Sequence, residues 1–161
     1  MDCDGTGNCV LDCAGAPVLV LPYIDGTDLR KVIRDRFALR NGRSVPDPHP
    51  WATLADRDYL HRTLPVLDQL IDAVAAMHSA NILHRDIKPS NVLVDQRGNA
   101  WLSDFGLARL GENGMITGRG TRLGTHGYMS PEQSAGELEV DARSDLFALG
   151  VTLYQALTLE L

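Results

Sequence analysis

Apolar and polar positions along the chain change period several times, and each change predicts an element. Val10-Leu11-Asp12-Cys13 and Pro17-Val18-Leu19-Val20-Leu21 are short apolar runs with Ala14-Gly15-Ala16 between them, which predicts two strands and a turn. Asp28–Arg36 reads as a short helix. Arg40–Trp51 carries Gly42, Pro46, Pro48 and Pro50, which is loop chemistry. Leu64, Leu67, Ile71, Val74 and Met77 keep helical spacing, which predicts an amphipathic helix packed on a core, with Pro65 in its first turn and His78 at its end. Val92-Leu93-Val94 and Ala100-Trp101-Leu102 read as short strands joined by the turn-rich Asp95–Asn99. Asp141-Ala142-Arg143-Ser144-Asp145 leads into an apolar helix over Leu146–Leu159, apolar on most faces, as expected of a buried central helix.

The hairpin over 92–102 organises the chemistry. His84-Arg85-Asp86-Ile87-Lys88-Pro89-Ser90-Asn91 precedes it and Asp104-Phe105-Gly106 follows it. A tight hairpin returns the second cluster to the first. The oxygen-bearing Asp86, Asn91 and Asp104 can then face one pocket, with Lys88 beside them. Mg²⁺ takes such hard oxygens, usually from one or two carboxylates plus substrate phosphates. Asp104 and Asn91 fit that role. Asp86 fits a carboxylate that orients a hydroxyl nucleophile and takes its proton, and Lys88 can neutralise charge on a transferring group. The competing reading is a surface hairpin with scattered charges.

H-R-D-x-K-x-x-N followed by D-F-G, then by G-T-x-x-Y-M-S-P-E, resembles the catalytic, metal and activation segments of eukaryotic-type (Hanks-type) serine/threonine protein kinases, in a bacterial-like form. The resemblance implies an α+β, protein-kinase-like fold that is incomplete. It would hold a small-lobe β-hairpin over 10–21, a hinge over 22–27, and a mainly helical large lobe over 28–161 with the catalytic hairpin. Residues 1–9 are expected to be a frayed, glycine-softened terminus. The interval from Asp28 to Asp86 is longer than usual in the family, so a loop is expected to be inserted over about 35–61, with His49 and His61 solvated.

The same resemblance implies the site. ATP and Mg²⁺, with Mn²⁺ as an alternative, are the expected cofactors. Asp86, Lys88, Asn91 and Thr125 are the expected catalytic residues, Thr125 bridging Asp86 and Lys88. Asn91 and Asp104 are the expected metal ligands. Leu21 would guard the back of the adenine pocket, the Pro22 carbonyl and Ile24 amide would bond the adenine edge, and Asp28 would reach the ribose. Leu93 and Asp104 join these nucleotide-binding residues. Arg85 would pair with a phosphate on the activation segment, carried by Thr121 or Thr117; both threonines read equally well as plain polar loop residues. Glu132 would lack its family partner, an arginine nearer the domain's end, and Asp145 resembles the buried aspartate that holds the catalytic loop from below.

Composition narrows the partners. The net charge of −6 argues against nucleic acid or an anionic membrane as the main partner. No apolar run reaches transmembrane length and Met1 is followed by no secretion signal, so a cytoplasmic location is expected. Cys3, Cys9 and Cys13 are an odd number, and they read as free thiols. Lys31 and Lys88 are the lysines of the chain, and neither stands on a strand ahead of the hinge. The glycine loop, the phosphate-gripping lysine and its glutamate thus have no counterpart, and the resemblance covers roughly Val10 to Leu161. Two functions follow: a serine/threonine kinase acting on protein hydroxyls, weak or inactive as this chain alone, or a non-catalytic binding or dimerising module that associates through exposed core.

Overall fold

The computed structural model describes residues 2–3, 9–13, 16–104, 126–137 and 140–160, with side chains described over 21–104, 127–137 and 140–160. The elements run β1 (Asp2–Cys3), β2 (Cys9–Cys13), β3 (Ala16–Val20), β4 (Gly26–Asp28), α1 (Leu29–Arg40), α2 (Asp56–Ser79), β5 (Val92–Asp95), β6 (Ala100–Leu102), α3 (Pro131–Ala135) and α4 (Ala142–Thr158). Short 3₁₀ turns stand at Pro50–Thr53, Pro89–Asn91 and His126–Tyr128.

Among the described residues the strands form two antiparallel sheets, ordered β1-β2-β3 and β4-β5-β6. The first contains the expected hairpin, with Cys13 opposite Ala16. It also corrects the reading of residues 1–9. Asp2 pairs with Val10 and Cys3 with Cys9, so those two residues form a short edge strand paired on one side with β2.

The second sheet carries the catalytic hairpin. Val92 pairs with Leu102 and Val94 with Ala100. β4 adds a third strand, which places Asp28 opposite Leu93 and Gly26 opposite Asp95. Gly26 is required there, because a Cβ would lie 2.1 Å from the Val94 carbonyl oxygen.

The core lies where α1, α2 and α4 meet this sheet. Leu29, Val32, Val66, Leu70, Val74, Ile87, Val92, Val94 and Ala156 are buried in one cluster. α1 starts at an Asp28 cap, whose Oδ1 accepts from Lys31 N at 2.8 Å, and it runs to Arg40, beyond the expected end at Arg36.

α2 starts at Asp56, well before Leu64, so Pro65 lies inside the helix and not in its first turn. Two forces outweigh the proline. Asp56 and Asp58 complement the helix dipole in the first turn, and Tyr59, 2% exposed, donates to the Ala156 carbonyl of α4 at 2.7 Å. The buried stripe is also rotated from the expected one. Val66, Leu67, Leu70 and Val74 face the core, while Leu64 and Ile71 are exposed.

The inserted loop expected over about 35–61 narrows to residues 41–55, because both of its expected ends are helical. Nor is it loosely attached. Asp35, 1% exposed, accepts from the His49 backbone N at 3.0 Å and from Lys31 Nζ at 2.6 Å. Arg36, also buried, reaches the Leu54 carbonyl at 2.9 Å and Asp56 at 2.5 Å, and lies 4.0 Å over the Tyr59 ring. His49 is half-buried and accepts from Trp51 N at 3.3 Å, against the expectation of a solvated side chain; His61 is exposed, as expected. Burial holds His49 below the usual histidine range, chiefly by desolvation.

α4 also departs from expectation. Ser144, Asp145, Ala148, Leu149, Thr152 and Ala156 are buried, but Leu146, Phe147, Tyr154 and Leu157 are exposed among the described residues.

Candidate active site

The 3₁₀ turn Pro89–Asn91, capped by Lys88, runs directly into β5, so Asn91 stands at the root of the hairpin. The other root is Ser103. Its N donates to the Asn91 carbonyl at 2.8 Å and its Oγ to the same oxygen at 3.1 Å. The two polar clusters are thereby stapled together, and Asp104 emerges next to the staple.

Asn91 is 4% exposed, and its orientation is fixed. Its Nδ2 donates to the Asp86 carbonyl at 2.9 Å and to Asp86 Oδ2 at 3.1 Å. Lys88 Nζ lies 2.6 Å from that same Oδ2. Both partners of the Asp86 carboxylate thus converge on one oxygen, and Oδ1 makes no hydrogen bond among the described residues. Asn91 Oδ1 receives one long contact, from Ser90 Oγ at 3.3 Å.

The backbone of the catalytic loop is held from α4. Asp145 is 2% exposed; its Oδ2 accepts from His84 N at 2.8 Å and lies 3.0 Å from His78 Nε2, and its Oδ1 accepts from Arg85 N at 2.7 Å. This is the role the sequence assigned to it. Arg85 and Asp104 both hold left-handed backbone, with φ of 66° and 57°. Aspartate tolerates that region better than most side chains, whereas for an arginine it is strained and persists only where neighbours impose it.

His84 is fully buried and links the clusters a second time. Its Nε2 donates to the Ser103 carbonyl at 3.1 Å and its Nδ1 accepts from Asp86 N at 3.3 Å. That pattern requires a neutral ring. Desolvation lowers its pKa below the usual histidine value, against the opposing pull of the Ser103 carbonyl and of Asp145, Asp86 and Asp104.

Metal ligation can be tested on the donors. Mg²⁺ needs hard oxygens and keeps several positions for phosphate and water. Asn91 commits its amide nitrogen to Asp86 and so presents its oxygen, and the exposed Asp104 carboxylate makes no hydrogen bond among the described residues. No group of three or more His, Cys, Asp or Glu that could hold a metal occurs among the described residues. The pair fits a Mg²⁺ that arrives with its phosphates.

The remaining expected residues divide by position. Leu21 and Pro22 are exposed and Ile24 is half-buried on the stretch leading to β4. Gln96 Nε2 donates to Asp25 at 2.8 Å, and the Asp28–Leu93 register ties the end of this stretch to the hairpin. Asp28 and Leu93 are half-buried, and Asp28 spends one oxygen on the α1 cap. Arg85 is exposed, and its guanidinium has no salt bridge among the described residues. Thr117, Thr121 and Thr125 lie outside the described residues, as does Phe105-Gly106. Glu132 accepts from the Ser144 hydroxyl, a partner the sequence reading did not foresee, and that bond holds its carboxyl below the usual range. The sequence reading also missed Gln133, whose Nε2 donates to the Arg85 carbonyl at 3.0 Å. A glutamine on a short helix gives no signal of such reach.

No described helix is long and apolar enough to cross a membrane. Comparison with known proteins agrees with the geometry. A probable serine/threonine-protein kinase of Streptomyces coelicolor is 38% identical over 156 residues, covering 95% of this chain and 20% of that protein. The serine/threonine-protein kinase PknL of Mycobacterium tuberculosis is 36% identical over 142 residues, covering 88% of this chain and 31% of that protein. PrkC of Bacillus subtilis, a serine/threonine-protein kinase, is 34% identical over 140 residues, covering 87% of this chain and 18% of that protein. The chain thus spans a third or less of the length of these relatives. Residues 14–161 match the protein kinase domain family, and with the catalytic loop, hairpin and buried Asp145 in place the chain belongs to that family.

Proposed function

We propose that this chain carries the phosphotransfer centre of a serine/threonine protein kinase, which moves the γ-phosphoryl group of ATP to a protein hydroxyl. The observation that carries the reading is the asymmetry of the Asp86 carboxylate. Lys88 and Asn91 both bond Oδ2, which leaves Oδ1 to accept a hydroxyl. As the substrate oxygen bonds to phosphorus, the bond from phosphorus to the bridging oxygen of ADP breaks, and the hydroxyl proton passes to Asp86. Lys88 then has two tasks: it orients Asp86 and lies beside the transferring group. Asn91 Oδ1 and Asp104 would hold Mg²⁺, which supplies positive charge to the phosphate oxygens. Leu21, Pro22, Ile24, Asp28 and Leu93 would hold the nucleoside, from β4 and the stretch before it. Use of ATP argues for a cytoplasmic location.

Arg85 would receive a phosphate carried by Thr121 or Thr117, and Thr125 would contact Asp86 and Lys88; these roles follow the family pattern. Lys88 with Thr125 favours serine and threonine over tyrosine as the acceptor. The test is transfer of label from γ-labelled ATP to a generic basic protein, with Asp86→Asn as control. Label that depends on Asp86 supports the reading. Absent label, or label that survives the control, rejects it and leaves a binding or dimerising module.

A further inference from the structure

Arg85 holds a left-handed backbone immediately before the catalytic aspartate, and something must keep it there. Its amide is accounted for by Asp145 Oδ1 on α4, at 2.7 Å. Its carbonyl is accounted for from a different element, by Gln133 Nε2 on α3, at 3.0 Å. We propose that Gln133 is a positioning residue for Asp86, the second jaw of a clamp whose first jaw is Asp145; the proposal rests on the phosphotransfer reading above.

The geometry supports this in three ways. First, the Arg85 carbonyl belongs to the peptide that joins Arg85 to Asp86. Fixing the peptide planes on both sides of Arg85 fixes its two backbone dihedrals, and so the direction in which Asp86 leaves the chain. Second, Gln133 is 8% exposed and uses both ends of its amide. Oε1 accepts from Ser130 N at 3.2 Å, while Nε2 is left for Arg85. The capping box at the start of α3 needs only the acceptor end, and a glutamate would serve it equally well. The donor end is surplus to the cap, and it is the end that touches the catalytic loop. Third, α3 is anchored well enough to act as a jaw. Ser130 Oγ donates to Ser144 Oγ at 3.0 Å, and Ser144 in turn bonds Glu132. The end of the Ser130-Pro131-Glu132 segment is thereby fixed to the same N-terminal turn of α4 that carries Asp145.

The discriminating variant is Gln133→Glu in the full chain. Its ionised carboxylate keeps the acceptor for the cap and loses the donor for Arg85. Gln133→Met, which loses both, is the companion, and its melting temperature should fall. For Gln133→Glu, compared with the parent at a temperature where circular dichroism shows both folded, the Asp86 backbone amide resonance should move, and kcat should fall about 10- to 100-fold with the KM for Mg-ATP unchanged. A parental kcat overturns the proposal whatever the resonance does. So does a kcat that falls only in step with the unfolded fraction at the assay temperature. If the parent itself shows no transfer dependent on Asp86, the phosphotransfer reading fails separately, and the resonance decides whether the clamp exists: movement supports it, and an unmoved Asp86 amide overturns it.

Discussion

The catalytic loop and the inserted loop over 41–55 use the same device with different reach. Each is irregular backbone caught by a buried aspartate on a helix. Asp145 takes the His84 and Arg85 amides, and Asp35 takes the His49 amide. Asp35, however, is neutralised from its own helix, by Lys31 at 2.6 Å and Arg34 at 3.1 Å. Among the described residues Asp145 has no lysine or arginine partner; its partners besides the amides are His78 on α2 and, through the loop it holds, Gln133 on α3. The inserted loop is therefore locally closed. The catalytic loop is correct only when α2, α3 and α4 have all assembled. Placing a reactive carboxylate under long-range control makes its geometry a property of the assembled domain, whereas a decorating loop can be fastened within one turn of a helix.

The comparison can be tested from its strongest consequence down. Asp86→Asn should cut phosphotransfer by about 10²- to 10⁴-fold, measured with labelled ATP, while urea unfolding stays near the parent's. Asp145→Ala removes the acceptor of the His84 and Arg85 amides and the carboxylate partner of His78. It should cost about 3 kcal/mol in urea unfolding and depress turnover in the surviving folded fraction. Asp35→Ala should cost about 2 kcal/mol in the same unfolding experiment and increase proteolysis of 41–55, with turnover per folded molecule unchanged. Equal losses of turnover in these two variants would erase the distinction drawn between the loops.

The smallest effect concerns pH. His84 is held neutral by burial, so below about pH 6.5 the unfolded chain takes up a proton that the folded chain refuses. Stability from this group is present above that pH. It should be lost as the pH falls toward the depressed folded value, with a slope approaching about 1.4 kcal/mol per pH unit. Replacing His84 by Gln should flatten that part of the curve in urea titrations between pH 4 and pH 7.

Much of this was legible in the residues, for identifiable reasons. Turn chemistry at Asp95–Asn99 and the apolar runs beside it specify a hairpin locally, so the meeting of Asn91 with the Asp104 side of the site could be read before any coordinates. Asp145 was legible through its motif. Pro65 misled because its cost is local, while the burial of Tyr59 and its bond to the Ala156 carbonyl, which override it, are tertiary. The rotated stripe of α2 has the same origin: Leu64 and Ile71 satisfy the helical period equally well, and only the position of α4 decides which side is covered. Asp35, Arg36 and Gln133 were invisible because a polar residue on a helix reads as solvated until its partner is placed. The family resemblance carried the roles of single residues further than periodicity could.

The left-handed backbone at Arg85 and Asp104 has an evolutionary corollary. Glycine would relieve Arg85 of about 1–2 kcal/mol of conformational tension, and Asp104 of less, because aspartate visits this region more readily. A laboratory selection for heat tolerance alone should therefore drift toward glycine at both, and would erode the chemistry as it did so.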